Sequence, residues 1–457
     1  MEKHVNFGSR MGAIFAAAGS AVGLGNVWRF PTEVGNNGGA AFILIYLACI
    51  LIIGIPIMVC EFVIGRHTQS NMIDGFKKLA PGRWWRVIGY QGVLVAFLIL
   101  SYYIVVSGWT LFYSVESLAG NLVDDGVGEG HHFAEYFGAF VSDPWWSLGC
   151  AAAFMAIVHL VIARGVQSGI ERFSKVMMPM LLLIIGVLVV CAFSMPGIDD
   201  GLRFLLKPDF SKITVSVVLS AMGQAFFSLS LAMGCLCTYA SYFNPKTRLV
   251  SSAMSVAVID TFVAVLSGFI IFPAVFSVPG IEADAGPGLV FITLPSVFNM
   301  AFHAVPWLGY MFSGLFYILL FLAALTSAMS LHESVTAYVY ERFHISRRRA
   351  SLMVSVSCMC LGVLCCLSFG PLSGWTVGGM TMFDLFDFVS SKVILPLGGL
   401  LLVLFTGWYL DRDLVRDEIT NRGELPGRVF GVFMFLVRWV APVAIGVIFV
   451  QGLLGIF

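Results

Sequence analysis

The residues with the clearest capacity for chemistry lie in one interrupted stretch, GSAVGLGNVWRFP, from Gly19 to Pro31. Apolar residues from Met11 onward predict a membrane-spanning helix, yet glycines, Asn26, Arg29 and a proline break it here. Backbone groups without partners are costly in hydrocarbon, so such a break persists only where it is buried in protein or lines a cavity. Free carbonyls bind cations, and free amides at a half-helix N-terminus bind anions. The stretch is therefore predicted to form half of an ion and substrate site.

A second stretch, GQAFFSLSLAMGCLCTYASY from Gly223 to Tyr242, has a similar character. Gln224, Ser228 and Ser230 lie in this otherwise apolar run, which favours a second broken helix, although serine-rich helices with an intact backbone are common. The two stretches fall in the first and sixth of eleven predicted spans, at corresponding positions of two five-span halves. Paired interruptions at corresponding positions indicate the binding site of a transporter.

Among the carboxylates in the predicted spans, two are singled out here: Glu61 in VCEFVIGR and Asp260 in AVIDTFVAVLSGFIIF. A charged side chain in a span is costly and indicates function by default. Asp260 would become protonated unless a cation lay beside it, whereas Glu61 could instead extend towards water at its helix end. In the eighth span, Thr326 and Ser327 could offer hydroxyl oxygens to a small cation or bond back to their own helix.

The composition indicates the membrane architecture that must position these residues. The 457 residues are 59% hydrophobic and 11% charged, and the mean hydropathy is +0.92, so the chain has too little polar surface for a soluble protein. We predict an all-α polytopic membrane protein forming one transporter domain over residues 1–457, with a five-plus-five inverted-repeat fold. The repeats cover 11–195 and 214–410, and 429–455 is an additional helix. The predicted spans are 11–33, 40–65, 87–118, 146–163, 171–195, 214–240, 250–276, 306–341, 350–368, 381–410 and 429–455, and residues 290–303 are predicted to form a short helix over the external mouth.

Lys and Arg concentrate in the connectors on the side of the N-terminus. The other side holds only Arg203, Lys207 and Lys212. The positive-inside rule therefore predicts a cytoplasmic N-terminus and, with eleven spans, an external C-terminus. Arg29, Lys392 and Arg438 remain within or at the ends of spans. All ten cysteines lie in apolar runs without metal-ligand spacing and are predicted to be reduced packing residues.

Five motifs together resemble those of one transporter family: GSAVGLGNVWRFP, NGGAAFILIY, EFVIGR, GQAFFSLSL and YASY. From about Phe7 to the last span the chain resembles the neurotransmitter:sodium symporters, in particular the bacterial branch that includes the leucine transporter and a multi-hydrophobic amino acid transporter. Eleven spans rather than twelve resemble the shorter bacterial members. The resemblance implies a multi-pass carrier in a bacterial cytoplasmic membrane and not an enzyme, with no nucleic-acid or obligate protein partner.

The resemblance also implies two sodium sites and a substrate site. The first sodium site would use Ala21, Asn26, Ser228, Asp260 and the substrate carboxylate. The second would use Gly19, Val22, Ala323, Thr326 and Ser327. Both sets are hard oxygen ligands, which suit an alkali cation. The substrate would be held by Ala21, Leu24, Gly25, Tyr103, Phe227, Ser228 and Ser230, in an apolar pocket of Ile99, Phe227, Ala232, Met233 and Leu331.

The same resemblance implies gates and a support for the breaks. Arg29 and Asp387 would approach each other across the external vestibule. Ser241, Tyr242 and Glu341 would form the cytoplasmic gate. The basic partner of that gate, from the N-terminal tail, would be Lys3 or His4. Glu61 would hold the loose backbone of both broken helices.

Three departures from the family pattern affect specificity. Asp260 stands where many members have asparagine, and Ala264 has neither the hydroxyl of chloride-dependent members nor the carboxylate of the leucine transporter. We therefore predict chloride independence, with Asp260 supplying the negative charge. Gly23 occupies the place where monoamine carriers have an aspartate, which favours a substrate with its own carboxylate. Ala232 replaces a family glycine and should favour aliphatic over indole side chains.

The sequence thus predicts a sodium-coupled symporter that imports neutral hydrophobic L-amino acids by alternating access. A sodium- or proton-coupled carrier of another small zwitterion is the alternative within the same fold. A sodium-gated channel or a non-transporting amino-acid sensor is the alternative from another class. The channel would need a continuous polar pore, and a sensor usually carries a soluble signalling domain.

Overall fold

A computed structural model describes residues 6–122, 131–278 and 288–454. These residues are almost entirely helical, and their one β-like feature is an isolated bridge between Val377 and Met380. The helices, in chain order, are α1 (Arg10–Ala21), α2 (Gly25–Asn36), α3 (Ala40–Thr68), α4 (Met72–Leu79), α5 (Arg86–Ala119), α6 (His131–Ser142), α7 (Pro144–Ala163), α8 (Val166–Ala192), α9 (Ile198–Leu206), α10 (Val215–Ser228), α11 (Cys235–Ser241), α12 (Leu249–Phe276), α13 (Leu289–Ala301), α14 (Pro306–Phe343), α15 (Arg347–Leu367), α16 (Met382–Tyr409), α17 (Arg412–Thr420) and α18 (Gly427–Leu453).

The helix starts follow from the local sequence. Ser9 precedes α1 and accepts a hydrogen bond from the Gly12 amide at 3.0 Å, and Thr214 caps α10 in the same way. Asp143 caps α7 just before a proline at its first position. Each such cap stabilises its helix by about 1 kcal/mol, because it satisfies an amide that has no intrahelical partner.

The described residues contain nine unbroken helices long and apolar enough to cross a membrane. The pair α1 and α2 forms a further span, bent by 54° at its break. The predicted sixth span is divided into two short helices, α10 and α11. The eleven predicted spans therefore all have a helical counterpart, and the short external helix predicted at 290–303 is α13.

Several helices between spans were not predicted. The connector between the third and fourth predicted spans contains α6, over residues 131–142. The short α4, α9 and α17 also lie in connectors. Each is amphipathic and too short to give the long apolar run by which the spans were recognised, so hydropathy alone did not reveal them.

The two broken segments lie at the centre of the helix packing. Helix α1 packs against α8, α12 and α14, while α3 runs along both α10 and α11. Helix α5 packs along α14 and α7, and α16 packs against α18. The long unbroken helices therefore surround the short ones, which places the irregular backbone inside protein and away from lipid.

Candidate functional site

Three side chains from three helices meet at the first break around a buried carboxylate. The Asn26 side-chain amide donates to Asp260 Oδ1 at 2.7 Å and to Ser228 Oγ at 3.3 Å. Ser228 Oγ donates to Asp260 Oδ2 at 2.8 Å. All three residues are buried. The structure thus brings together the side chains that were predicted for the first sodium site, and Ala21 lies buried at the adjoining end of α1.

A second oxygen cluster lies on the opposite flank of the same break. Ser327 Oγ lies 3.1 Å from the Val22 carbonyl oxygen, and Thr326 Oγ1 lies 3.3 Å from it. Thr326 Oγ1 is also 3.0 Å from the carbonyl oxygen of Ala323. A methyl group placed on Gly19 would lie 3.2 Å from Thr326 Cβ. All five residues predicted for the second sodium site are therefore neighbours.

The predicted substrate region lies at the start of α2. The Tyr103 hydroxyl is buried and has no hydrogen-bond partner among the described residues. Gly25 opens a π-helical turn and faces Phe227, whose ring would lie 3.1 Å from a Cβ built at Gly25. A Cβ at Gly23 would lie 2.4 Å from Ser327 Oγ and 3.5 Å from the Tyr103 hydroxyl oxygen. Glycine is required there because the backbone approaches two predicted site residues.

The side chains predicted for the apolar pocket lie on α5, on α14, and at or next to the second break, residues 229–234 between α10 and α11. They are Ile99, Ala232, Met233 and Leu331, all buried, and the half-buried Phe227. The break itself contains left-handed backbone at Ser230, Ala232 and Gly234, with φ of 51°, 61° and 73°. Ser230 Oγ donates to the Ser20 carbonyl oxygen at 2.8 Å and so joins the two broken segments directly.

Glu61 supports one of the breaks that were assigned to it. Its carboxylate accepts hydrogen bonds from the Ala232 amide at 2.6 Å and the Cys237 amide at 3.1 Å. None of the hydrogen bonds found among the described residues joins Glu61 to α1 or α2. Both of its oxygens accept from amides of the second break, and its support of the first break stays a prediction.

Arg29 and Asp387 were predicted to approach each other across the external vestibule, and in the structure each has a partner of its own. Arg29 lies 3.9 Å from Glu33 and 4.4 Å above the Phe227 ring centroid. Asp387 accepts a hydrogen bond from the Tyr102 hydroxyl at 2.9 Å. Arg29 also lines a cavity of 1210 Å³, between α2, α10, α16 and α18, that reaches Phe227. The pair does not close this side of the molecule in the structure.

The residues predicted for the cytoplasmic gate also have other partners. Ser241 donates to the Thr238 carbonyl oxygen of its own helix at 2.7 Å, so its hydroxyl proton is not available to the other predicted gate residues. Tyr242 donates to Glu333 Oε1 at 2.7 Å, and Glu341 accepts hydrogen bonds from Asn71. Lys3 and His4 lie outside the described residues.

The N-terminal segment packs over this end of the molecule. The Phe7 amide donates to the Tyr242 carbonyl oxygen at 2.8 Å, and its ring meets those of Tyr239 and Tyr242 edge-on. The Gly8 amide and the Ser9 hydroxyl donate to Glu171 at 2.7 and 2.9 Å. This end is therefore sealed, while the opposite end holds the large cavity.

Two residues that contact the predicted site or gate were not identified from the sequence. Tyr46, on α3, donates to Ser228 Oγ at 3.2 Å. Only its place in the motif NGGAAFILIY could have indicated it. Glu333 is fully buried and binds both Tyr242 and the Arg347 guanidinium. A glutamate inside the eighth span was the available signal, since a buried charge needs a partner.

Comparison with known proteins gives the relationships of the chain. The profile of the Sodium:neurotransmitter symporter family matches residues 4–133 and 141–456. An uncharacterized sodium-dependent transporter of Bacillus subtilis (strain 168), YhdH, is 39% identical over 456 residues, which cover 100% of this chain and 99% of the relative. An uncharacterized sodium-dependent transporter of Haemophilus influenzae is 34% identical over 453 residues, 97% of each chain.

A solved structure extends this similarity to the fold. The crystal structure of MhsT in complex with L-phenylalanine matches with a TM-score of 0.88 and 42% identity, over 98% of this chain and 99% of that one. The match confirms the predicted transporter fold, and the profile and the relatives confirm the resemblance seen in the motifs. The chain belongs to the Sodium:neurotransmitter symporter family, whose members are sodium-coupled transporters and not enzymes.

Proposed function

We propose that this transporter imports neutral hydrophobic L-amino acids together with two sodium ions, by alternating access around the two helix breaks. The observation that carries the proposal is the convergence of two buried oxygen clusters on one break. One cluster contains Asn26, Ser228 and Asp260, and the other contains Val22 and Thr326 with their neighbours. Clusters of hard oxygens inside a membrane protein suit an alkali cation.

The first cluster has the charge that a sodium ion needs. In the structure the Asn26 side-chain amide donates a hydrogen bond to Asp260 and therefore occupies the position that a cation would take beside the carboxylate. Turning this amide would move its oxygen away from the Gly23 amide, which donates to it at 2.9 Å, and present it to the ion together with Ser228 Oγ and a carboxylate oxygen. The bound cation would keep Asp260 ionised in a site from which water is excluded.

The second cluster contains no carboxylate. Its ligands would be backbone carbonyls of Gly19, Val22 and Ala323 and the hydroxyls of Thr326 and Ser327. These hydroxyls now donate to carbonyl oxygens of the cluster, and turning the two O–H bonds away would free their lone pairs for a cation. Since all of these ligands are neutral, we expect this site to bind sodium through geometry and ligand number.

The Tyr103 hydroxyl supports a substrate that carries a carboxylate. A buried hydroxyl without a partner costs about 1–3 kcal/mol, and an acceptor from the substrate would recover this. The amides of Leu24 and Gly25 begin α2 at the same place, and helix N-termini favour anions. A carboxylate held there could also ligate the first sodium ion, so that each would strengthen binding of the other.

The substrate side chain would enter an apolar pocket formed by Ile99, Phe227, Met233 and Leu331, narrowed by Ala232. MhsT has been crystallised with L-phenylalanine, which supports a hydrophobic amino acid as the substrate class. A sodium ion entering down the membrane potential contributes about 2.3 kcal/mol per charge per 100 mV, which drives uptake against a gradient.

In the proposed orientation the N-terminus is cytoplasmic, as the distribution of Lys and Arg favours. The segment around Phe7 then seals the cytoplasmic side, and the cavity beside Arg29 is the external vestibule. Alternating access would require the seal to open after the vestibule has closed over the substrate, with Phe227 and Tyr103 as the inner lid.

Uptake into proteoliposomes tests the function. An inward sodium gradient should accumulate labelled leucine, valine or phenylalanine, whereas the same vesicles with equal sodium on both sides should not. Tryptophan is expected to accumulate less than leucine. Failure of all four amino acids to accumulate under inward sodium would remove the substrate claim.

A separate measurement tests chloride independence. Because Asp260 supplies a fixed negative charge beside the first cluster and Ala264 offers no chloride ligand, replacing chloride with gluconate should leave uptake unchanged. Asp260→Asn removes that charge and should weaken sodium affinity, at least tenfold, while the protein remains folded by its melting temperature. A fall in wild-type uptake in gluconate would contradict the assignment.

A further inference from the structure

Arg438 is a charged residue inside a membrane-spanning helix that the transport site does not use. It lies in a π-helical turn of α18, Leu436–Val440, and is half-buried. A charge inside a span is costly unless a partner or a polar surface receives it, so its surroundings should show what it binds.

The guanidinium is fixed from two directions by the end of α16. Arg438 Nε donates to the Gly407 carbonyl oxygen at 2.6 Å, and the guanidinium carbon lies 5.4 Å from the Trp408 ring centroid. Trp408 Nε1 donates back to the Arg438 carbonyl oxygen at 3.3 Å. A Cβ at residue 407 would lie 3.2 Å from Arg438 Cγ, so glycine is needed for this approach.

The positive charge has no internal counter-charge. Across the described ranges 6–122, 131–278 and 288–454, no carboxylate forms an ion pair with Arg438, and its two terminal nitrogens make no hydrogen bond. Arginine has five N–H donors, and only the one on Nε is used here. The free side of the guanidinium is a planar fork of the kind that binds phosphate through two hydrogen bonds.

The position of this fork indicates which phosphates can reach it. Trp408 and Trp439 are 53% and 58% exposed and their rings meet edge-on at 5.1 Å. Helix α16 ends one residue after Trp408, and Tyr409 there contacts Trp85, which stacks on Trp84. Tryptophan and tyrosine gather at the level of lipid headgroups. The fork therefore lies at the edge of the bilayer.

We propose that Gly407, Trp408, Arg438 and Trp439, here called the Arg438 platform, bind the phosphate of an anionic phospholipid such as phosphatidylglycerol. An anionic lipid fits better than a zwitterionic one because the unpaired arginine charge needs a net negative partner. The exposed Arg412, at the start of the neighbouring helix α17, adds to the positive field. In the proposed orientation this lipid belongs to the cytoplasmic leaflet.

A purely structural role for Arg438 accounts for less of the geometry. A side chain that caps the end of α16 needs only the hydrogen bond from Nε to Gly407, and a shorter donor could make it. Capping does not require the ring of Trp408 beneath the guanidinium or a second exposed tryptophan beside it. The inference concerns lipid binding alone and does not depend on the substrate or coupling proposed above.

Native mass spectrometry of the full-length protein tests the platform. The purified wild-type protein is titrated with phosphatidylglycerol and, separately, with phosphatidylcholine, and bound lipid and melting temperature are recorded. We expect at least tenfold tighter retention of one phosphatidylglycerol and a larger rise in melting temperature with it. Arg438→Gln should lose this preference, Arg438→Lys should keep part of it, and the matched control Arg428→Gln should keep all of it.

Two further arms separate the outcomes. Inorganic phosphate should not stabilise the protein as phosphatidylglycerol does, and equal stabilisation would overturn the lipid assignment. Equal retention of phosphatidylglycerol by wild type and Arg438→Gln would also overturn the proposal, as would a loss of melting temperature in Arg438→Gln that is the same with either lipid. If Arg438→Gln does not fold, Trp408→Leu provides a second variant that keeps the arginine charge. It should weaken the preference for phosphatidylglycerol over phosphatidylcholine, and a Trp408→Leu protein with the wild-type preference would likewise overturn the proposal.

Discussion

Ala232 holds a backbone conformation that suits glycine better than alanine. Its φ of 61° lies in the left-handed region, where a Cβ costs roughly 1–2 kcal/mol. Its amide donates to Glu61, which fixes that conformation. The methyl group lies 3.5 Å from a Cβ built at Gly399, against α16, and burying a methyl group contributes roughly 1 kcal/mol. The backbone strain at Ala232 and the packing of its methyl group therefore nearly cancel. The main effect expected of the methyl group is to reduce the volume of the predicted substrate pocket.

Replacing Ala232 with glycine should leave the melting temperature nearly unchanged and raise the affinity for L-tryptophan relative to L-leucine. One methyl group in an apolar pocket is worth roughly tenfold in discrimination. Competition of labelled leucine uptake by unlabelled tryptophan measures the ratio. Ala225→Gly, at a buried alanine of α10, is the control: it should cost about 1 kcal/mol of stability and leave the ratio unchanged. An unaltered ratio in Ala232→Gly would contradict the predicted size limit.

At the residue scale the oxygen ligands implied by the family resemblance lie together in the structure, and the rarity of polar residues inside apolar spans pointed to some of them independently. Asn26 and Asp260 each stood out in such a setting. Tyr46 did not, since one tyrosine in an apolar helix is commonly a packing residue, and its partner Ser228 is 182 positions away. The approach of Arg29 to Asp387 across the vestibule stays a prediction, because in the structure Arg29 pairs with Glu33 and Asp387 with Tyr102, and local sequence does not rank such distances.

The short helix α17 is attached to the end of α3 by one ion pair. Arg66 Nε donates to Glu418 Oε2 and Arg66 Nη2 to the Glu418 carbonyl oxygen, both at 2.6 Å, and Arg66 also donates to the Thr247 carbonyl oxygen. Arg66 is 5% exposed and Glu418 17%. Burial opposes charge on Glu418, but the hydrogen bond from His67 and the charge of Arg66 outweigh it and lower the pKa of Glu418 below its usual range. The Arg66 guanidinium thus joins α3, α17 and the segment before α12 that contains Thr247.

Glu418→Gln should lower the free energy of unfolding by about 2 kcal/mol at neutral pH, as expected for a hydrogen bond to a charged group. A carboxyl whose pKa is lowered on folding contributes stability above its ordinary pKa of about 4.3 and loses it as the pH falls through the lowered value. The difference in melting temperature between wild type and variant should therefore be constant from pH 8 to 5 and shrink below about pH 4. Thermal melts across this range measure it.

Glu424→Gln provides the matched control for this prediction. Glu424 follows the same helix, but it lies 4.0 Å from Arg248 and is 60% exposed, so its pair should contribute little. A Glu424→Gln effect as large as that of Glu418→Gln, or a difference independent of pH down to pH 3, would contradict the assigned role of the α3 to α17 ion pair.

At the element scale the spans could be predicted because each needs about 20 apolar residues and the connectors interrupt that pattern. The first break could also be predicted, since glycine, asparagine and proline within a span cannot continue a helix without cause. The short helices α4, α6, α9 and α17 could not, because a helix of two or three turns depends on the surface against which it packs. Amphipathic periodicity was the available signal in α4, α9 and α17, but segments this short are marginal as isolated helices.

The whole molecule is asymmetric between its two ends. One end holds a cavity of 1210 Å³ that leads to Phe227. The other is sealed by the segment around Phe7, which is 7% exposed and packs on Tyr239 and Tyr242. In the proposed mechanism this balance must be able to change. The N-terminal segment is joined to the rest here by the Phe7 ring, by hydrogen bonds of its backbone with Tyr242 and Gln167, and by the hydrogen bonds to Glu171. The energy of that attachment should set how often the sealed end opens.

Phe7→Ala should shift the molecule towards opening at the sealed end. Truncating a buried phenylalanine removes about 3 kcal/mol of packing, which corresponds to roughly a hundredfold in the closed-to-open equilibrium. Cys237, on α11, is 1% exposed in the sealed structure, so its labelling by a membrane-permeant thiol reagent, read by peptide mass spectrometry, should rise strongly in the variant. Met11→Ala, at a residue 58% exposed on α1, should not change the labelling. Equal labelling of Cys237 in wild type and Phe7→Ala would show that the seal is held by other contacts.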